Sequence, residues 1–420
     1  MAGRRLGQVD AMRPIKQAGV ISTHSILYFA PAAASVGSGA ALLLLHVSRE
    51  GFFFISACML TYAYADLGRA GLRHFYWRRF LAVVIPYLCW TVIYFLYLLP
   101  TSHYASLTVA LKHLAAMAYT GYYQLYFLLV IMQFYLVFPL VLMLLRRTKG
   151  HHGLVIAAAA LAQVTIEILM NMQILPPLMR TYGQQDALSY LLYLIGGGVV
   201  AFHLKEVHAW VCGHARLIVA LTVVAALAAE SIYFLAEHGV TVLGSGDDPF
   251  QPSVIPFNVG AITCGYLAGV ALVRPWRSRR TKAVVRSGSD NAYGIYLSQM
   301  LFITALAWLG WGRLSSRVPW PLLCLLTVAI VFACGITLTS VLARTPLAVP
   351  LTGRRQQPWS TLIPRHRAAE QIYPERASSQ QALKDQDPTG QAATAGSPDF
   401  PDPEPATLAG VTSDQNGARQ

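Results

Sequence analysis

Arg13 and His24 stand eleven residues apart, with Asp10 three residues ahead of the arginine. An imidazole takes or gives a proton near neutral pH, and a guanidinium grips phosphate or carboxylate in a fixed geometry. Eleven residues of helix are close to three turns, about 16 Å of rise, so both side chains project from nearly one face. Asp10, Gln17 and Tyr28 fall within roughly 60° of the same line at ~100° per residue. His24 also lies inside an apolar stretch. An ionisable group is costly there, which makes it a functional candidate by default.

Four further groups could join such a site. Arg49 and Glu50 sit within an apolar run and must be neutralised. They can pair with each other at a helix kink, or Glu50 can face His24 and fix its tautomer, as carboxylates do for catalytic imidazoles. Arg78 and Arg79 open the third apolar span, either as topology anchors or as ligands for the phosphates of a donor. Gln133, inside the fourth span, needs a hydrogen-bonding partner, and a bond between helices would supply one. Tyr293, Tyr296 and Gln299 begin the ninth span, where tyrosines can also form an interfacial belt.

These residues have to be positioned by membrane helices. The chain has 420 residues, 55% hydrophobic and 12% charged, which excludes an ordinary soluble domain. Ten apolar spans are expected, near residues 16–34, 39–65, 80–99, 122–145, 153–171, 187–204, 216–236, 256–273, 292–309 and 320–343. The fold expected is an all-α polytopic membrane helix bundle. Of the 32 Lys and Arg residues, Arg49, Lys112, Arg180, Arg313 and Arg317 fall on outward loops if the N-terminus is cytoplasmic. The others fall on inward segments. That bias puts both termini in the cytoplasm and explains the net charge of +13 by lipid contact, without nucleic acid. The six cysteines are scattered without metal-ligand spacing, so neither a metal site nor a disulfide frame is expected.

Residues 1–345 are expected to form one membrane domain. Residues 346–420, rich in Pro, Gln, Ala, Ser, Asp and Gly, lack the apolar content to fold alone and read as a disordered cytoplasmic tail. The acidic, glycine-rich stretch 237–249 reads as an outward loop.

The motifs and their order resemble the acyltransferase 3 family of membrane O-acyltransferases. The resemblance rests on Asp10, Arg13 and His24, then Glu50, Phe52, Phe53 and Ser56, then Arg79, Pro86 and Tyr87, then Gln133, Tyr135 and Pro139, then Tyr293 to Leu297. It covers about residues 8–345. The chain departs from the family pattern at Ala82, often basic, at Gln299, often histidine, and at Ala57, usually glycine.

The resemblance implies a multi-pass protein of the cell membrane. It would move an acyl group, most commonly acetyl from acetyl-CoA, onto a hydroxyl of an envelope glycan, lipid-linked sugar or secreted small molecule, with no bound cofactor. His24, Arg13 and Glu50 would then be catalytic, and Arg78 and Arg79 would hold CoA. Asp10, Gln133, Tyr296 and Gln299 would line the substrate site. A glycan or small-molecule exporter using His24 and Glu50 as a proton relay is the alternative from another class.

Overall fold

The computed structural model describes residues 6–240, 250–274 and 277–359. Among these it is helical, without strands. The helices are α1 Gly7–Phe29, α2 Ser35–Leu45, α3 Val47–Ala63, α4 Leu72–Leu98, α5 Leu107–Thr120, α6 Tyr126–Arg147, α7 His152–Asn171 and α8 Pro177–Thr181. They continue as α9 Leu191–Phe202, α10 Leu204–Gly213, α11 Ala215–Glu237, α12 Ile255–Val273, α13 Arg279–Trp308, α14 Trp320–Leu342 and α15 Ala348–Thr352.

Seven of these segments are long and apolar enough to cross a membrane: the α2–α3 run, α4, α6, α7, α11, α12 and α14. The α9–α10 pair, bent by 101°, makes eight if it counts as one broken span. Ten were expected. The other two positions are α1 and α13, which are long but carry too many charged and amide residues to match the apolarity of their neighbours. α1 packs against α3, α12, α13 and α14. Its polar side chains therefore meet protein, as the aligned face demands. On the periphery the polarity is reversed. α11 exposes Leu217, Leu221, Val224 and Leu227, and α6 exposes Leu136 and Leu140, surfaces suited to lipid tails.

Close helix approach depends on small residues. α3 lies along α9, and a side chain at Gly197 would run into the Phe54 carbonyl. The same position would lie 3.1 Å from the Ala57 methyl. Ala57 thus still fits at this crossing.

The expected second span is found as one run, Ser35–Ala63, interrupted only at His46 between α2 and α3. One expectation on organisation is corrected. The boundary expected at 345 lies inside packed structure. Trp90 Nε1 donates to the Leu351 carbonyl at 3.0 Å, and Gln357 N donates to the Ala343 carbonyl at 2.8 Å. Ala348 and Thr352 are buried. Backbone hydrogen bonds and burial hold a segment whose composition alone reads as a tail. The rest of that expected tail, from residue 360, and most of the 237–249 loop lie outside the described residues.

Candidate active site

His24, on α1, lines a cavity of about 380 Å³ shared with Thr23, His46, Arg49, Tyr123 and Gln185. The Tyr123 ring lies 5.4 Å from the imidazole, centroid to centroid, and Tyr28 lies 6.1 Å from Tyr123. A tight turn delivers that ring. Gly121 has φ 75° and Tyr123 has φ 51°. A side chain at Gly121 would strike the Tyr126 backbone. Left-handed backbone at a non-glycine residue costs about 1–3 kcal/mol and persists where the surroundings enforce it, commonly at ligand sites.

His24 Nδ1 is buried without a hydrogen-bond partner. Glu50, expected to orient it, pairs with Arg49 through Oε1, while its Oε2 is buried without a hydrogen-bond partner. Arg49 donates from Nη2 and Nε to Glu50 Oε1 at 2.6 and 3.0 Å. The two residues are 7% and 2% exposed. The guanidinium also lies over the Tyr190 and Phe250 rings, 5.1 and 4.7 Å from their centroids. Lys16, buried against Gly51, is an electrostatic neighbour of the same carboxylate. Two buried cations claim one anion because an uncompensated charge there costs several kcal/mol, about 3–5 when a pair is broken. A neutral imidazole offers the carboxylate far less. The ion pair beside a helix break is the arrangement found, and it leaves Arg49 facing the His24 cavity.

The opposite end of the α1 face is basic. Arg13 Nη1 lies 3.2 Å from Asp10 Oδ1. Arg13 and Arg79 both act electrostatically on the buried Tyr135, and Arg79 sits over the Tyr64 ring at 4.9 Å. Arg79 Nε and the Tyr293 hydroxyl are buried without partners. Tyr293 is in turn a neighbour of Tyr135. Two guanidinium groups thus cluster around Tyr135, with Arg13 already paired to Asp10. Arg78 is exposed, one residue but about 100° away from Arg79 on α4.

Between the two ends, Gln17 Nε2 donates to Gln299 Oε1 at 2.8 Å, joining α1 to α13. Beside them is a second buried network. Gln124 Nε2 donates to the Tyr94 hydroxyl at 2.9 Å, and Tyr94 donates to the Leu297 carbonyl at 2.7 Å. The Tyr296 hydroxyl donates to the Gln124 carbonyl. Tyr296 therefore holds the turn that carries Tyr123.

Residues 6–338 match the family model described as an acyltransferase domain, of the acyltransferase 3 type. The chain belongs to the acyltransferase 3 family. It is a membrane acyltransferase. Comparison with curated proteins and with solved structures gave no match.

Within this acyltransferase the structure gathers some of the expected residues and separates others. Arg13, Gln17 and His24 share the α1 face, and Gln299 joins them from α13. Arg79 joins Arg13, whereas Arg78 does not. Gln133 is not brought to His24. Its Nε2 donates to the Gln185 carbonyl at 2.6 Å and its Oε1 accepts from Ala187 N at 2.9 Å, so both ends of the amide are spent bracing a loop. That loop carries Gln184 and Gln185 to the cavity wall. His46, Tyr123 and Gln124 were not anticipated as site residues, and Arg49 was anticipated only as the ion-pair partner of Glu50. The sequence signals were the glycine and polar cluster at 121–124 and the interruption of an apolar run at 46–50.

Proposed function

We propose that the protein transfers an acetyl group from acetyl-CoA, bound with its phosphates at Arg13 and Arg79, to a hydroxyl that enters the His24 cavity. The acceptor class is an envelope glycan, a lipid-linked sugar or a secreted small molecule. The protein would lie in the cell membrane with both termini, and the Arg13 end, on the cytoplasmic side. The observation that supports this reading is the α1 face itself: the Arg13 guanidinium near one end and a cavity at His24 near the other, on one helix, about 16 Å apart.

The chemistry assigns a role to each residue. His24 accepts the proton of the acceptor hydroxyl as its oxygen attacks the thioester carbonyl. The negative charge that develops on the carbonyl oxygen is met by the Arg49 guanidinium, which Glu50 holds in place. Collapse breaks the carbon–sulfur bond, and the CoA thiolate takes up the proton from His24. The products are the acetyl ester and free CoA. Glu50 thus acts on the site through Arg49. Arg78 contributes long-range charge to donor capture.

The test uses full-length protein in nanodiscs with radiolabelled acetyl-CoA. Free CoA is measured with and without an envelope-glycan extract, for wild type and His24→Ala. Release that requires both the extract and His24 is expected. Equal release by the variant would overturn the role of His24. No release by wild type from acetyl-CoA or longer acyl-CoAs would overturn the donor assignment, and flux measurements for an exporter would follow.

A further inference from the structure

α9 and α12 each pack on α3 but scarcely on each other, and a cavity of about 220 Å³ lies between them. Leu192 to Val200 on α9 form one wall and Val259 to Tyr266 on α12 the other. Phe54 and Cys58 of α3 make the floor, and Leu204, Val207 and Val211 of α10 lie at one end. Nearly all of this lining is hydrocarbon. The hydroxyls that reach it are already engaged. Thr263 donates to the Val259 carbonyl at 2.8 Å within its own helix, and Tyr193 accepts from Asn258 Nδ2 at 3.0 Å. The Tyr266 hydroxyl bonds to His208 Nδ1 at 2.9 Å. Water needs about 2–4 polar partners to occupy a cavity, and here they are spent.

One residue keeps this slot open. Three glycines follow one another on α9. Two are needed for packing, since a side chain would run into the Phe54 carbonyl at Gly197 and into the Leu145 side chain at Gly198. At Gly196, which lines the slot, a side chain would meet no atom within 4 Å. Glycine inside a helix is less stable than alanine, and no contact within the protein requires it there. We propose that the slot holds one acyl chain of a membrane phospholipid, from the leaflet on the Arg13 side.

The dimensions fit that occupant. The α9 wall spans about 12 Å of helix and the α12 wall about 10 Å. The hydrocarbon of one leaflet is about 15 Å deep, half of a ~30 Å core. A chain that advances ~1.2 Å per bond, as an extended backbone does, places about eight to ten carbons along these walls. The α10 end is the headgroup end. α10 leaves α9 at 101°, the direction of a helix lying along the bilayer surface. It turns Leu204, Val207 and Val211 to the slot and leaves Lys205 and Trp210 exposed. Gln8, at the start of α1, donates to the Tyr266 hydroxyl at 3.4 Å, which puts this end on the Arg13 side. The chain in the slot is not the group transferred. Val9, the α1 residue on the slot, is fifteen residues, about 22 Å of helix, from His24. Phe54 follows Glu50 by one turn of α3, so the lipid packs on the helix that carries the buried ion pair.

The test uses full-length protein in phosphatidylglycerol nanodiscs that contain a trace of phospholipid with a diazirine in mid-chain. After irradiation, the labelled residues are mapped by mass spectrometry. Label is expected on Cys58, Tyr193 and Tyr266 in the slot, as well as on peripheral positions such as Leu140 and Leu221. Gly196→Leu fills the open space from within. It should remove the slot label and leave the peripheral label unchanged. In lipid-depleted detergent the same variant should unfold at a higher Tm than wild type. It should also lose the rise in Tm that added phosphatidylglycerol gives wild type. Wild-type label confined to the periphery overturns the proposal, and this arm decides even if the variant does not fold. Slot label unchanged in a folded Gly196→Leu overturns it as well. In mixed micelles, slot label removed by palmitoyl-CoA but not by as much unlabelled phospholipid would give the slot to a donor chain and overturn the phospholipid. No readout uses turnover, so failure of the acyl-transfer reading leaves the slot standing.

Discussion

Arg49 and Glu50, neighbours in the chain, form a buried ion pair with Nη2 and Oε1 2.6 Å apart, beside the cavity that Arg49 and His24 line together. His24 Nδ1 is buried without a hydrogen-bond partner, and the Arg49 guanidinium lines the same cavity. In the proposed mechanism the imidazole takes the proton and the held cation meets the oxyanion.

Breaking that pair should be costly in a specific way. Glu50→Gln leaves Arg49 and Lys16 without their anion, and a loss of about 3–5 kcal/mol in stability is expected, seen as a large fall in Tm. The double variant Arg49→Met, Glu50→Leu still leaves Lys16 without its anion, so it should recover part of the stability and none of the activity. Recovery of activity would remove Arg49 from the chemistry.

His24→Ala should behave in the opposite sense. Its Nδ1 has no hydrogen bond to lose, so Tm should fall only slightly. CoA release should drop by roughly 10²–10⁴, the usual contribution of a positioned acid or base. A protein with lowered Tm and retained turnover would make His24 a packing residue.

The two adjacent arginines of α4 should be separable by kinetics. Arg79→Ala removes the guanidinium that acts on Tyr135 and should raise KM for acetyl-CoA about tenfold or more, as the loss of a charge-assisted contact of ~1.5–3 kcal/mol requires. Arg78→Ala, at an exposed position, should change KM less than about twofold. Equal effects would place both on the donor.

Gly121 tests the turn that carries Tyr123. Alanine there combines φ 75° with a clash against the Tyr126 backbone. A loss of about 1–3 kcal/mol is expected, with reduced transfer as the ring beside His24 moves. Thermal unfolding and CoA release measured on one preparation would check both effects.

Truncation should locate the true edge of the packed body. Removing residues 360–420 should leave CoA release intact. Removing everything after residue 347 deletes the acceptor of the Trp90 indole N–H and uncovers Ala82 and Tyr293, against which Gly353 packs. That shorter protein should lose stability, and equal behaviour of the two truncations would show that α15 contributes nothing.

Much of the candidate site was legible in the chain. Helical periodicity places Arg13, Gln17 and His24 on one face whatever surrounds the helix, because the angle per residue is a property of the backbone. The apolar composition and the bias of Lys and Arg indicate a membrane bundle, and the ordered motifs identify the family. Spacing within α1 likewise sets the distance between Arg13 and the His24 imidazole.

Which side chains meet across helices was decided only in three dimensions. Glu50 could have served His24 or Arg49, and local sequence gives no preference. The choice fell to the electrostatics of a shared interior, where Lys16 from another helix adds a second cation to the same carboxylate. Gln299 met Gln17 only through the packing of α13 on α1, some 282 positions apart in the chain. Gln133 had the right type for a pocket residue but was bound by a loop whose path no periodicity describes. Residues 348–357 read as tail by composition and became part of the body because Trp90 and Ala343 offered them hydrogen-bonding partners. Backbone geometry acts over a few turns and is written in the sequence. Pairing of buried polar groups is settled by whichever partners the assembled bundle brings within reach, since each must find one or bear the cost of going without.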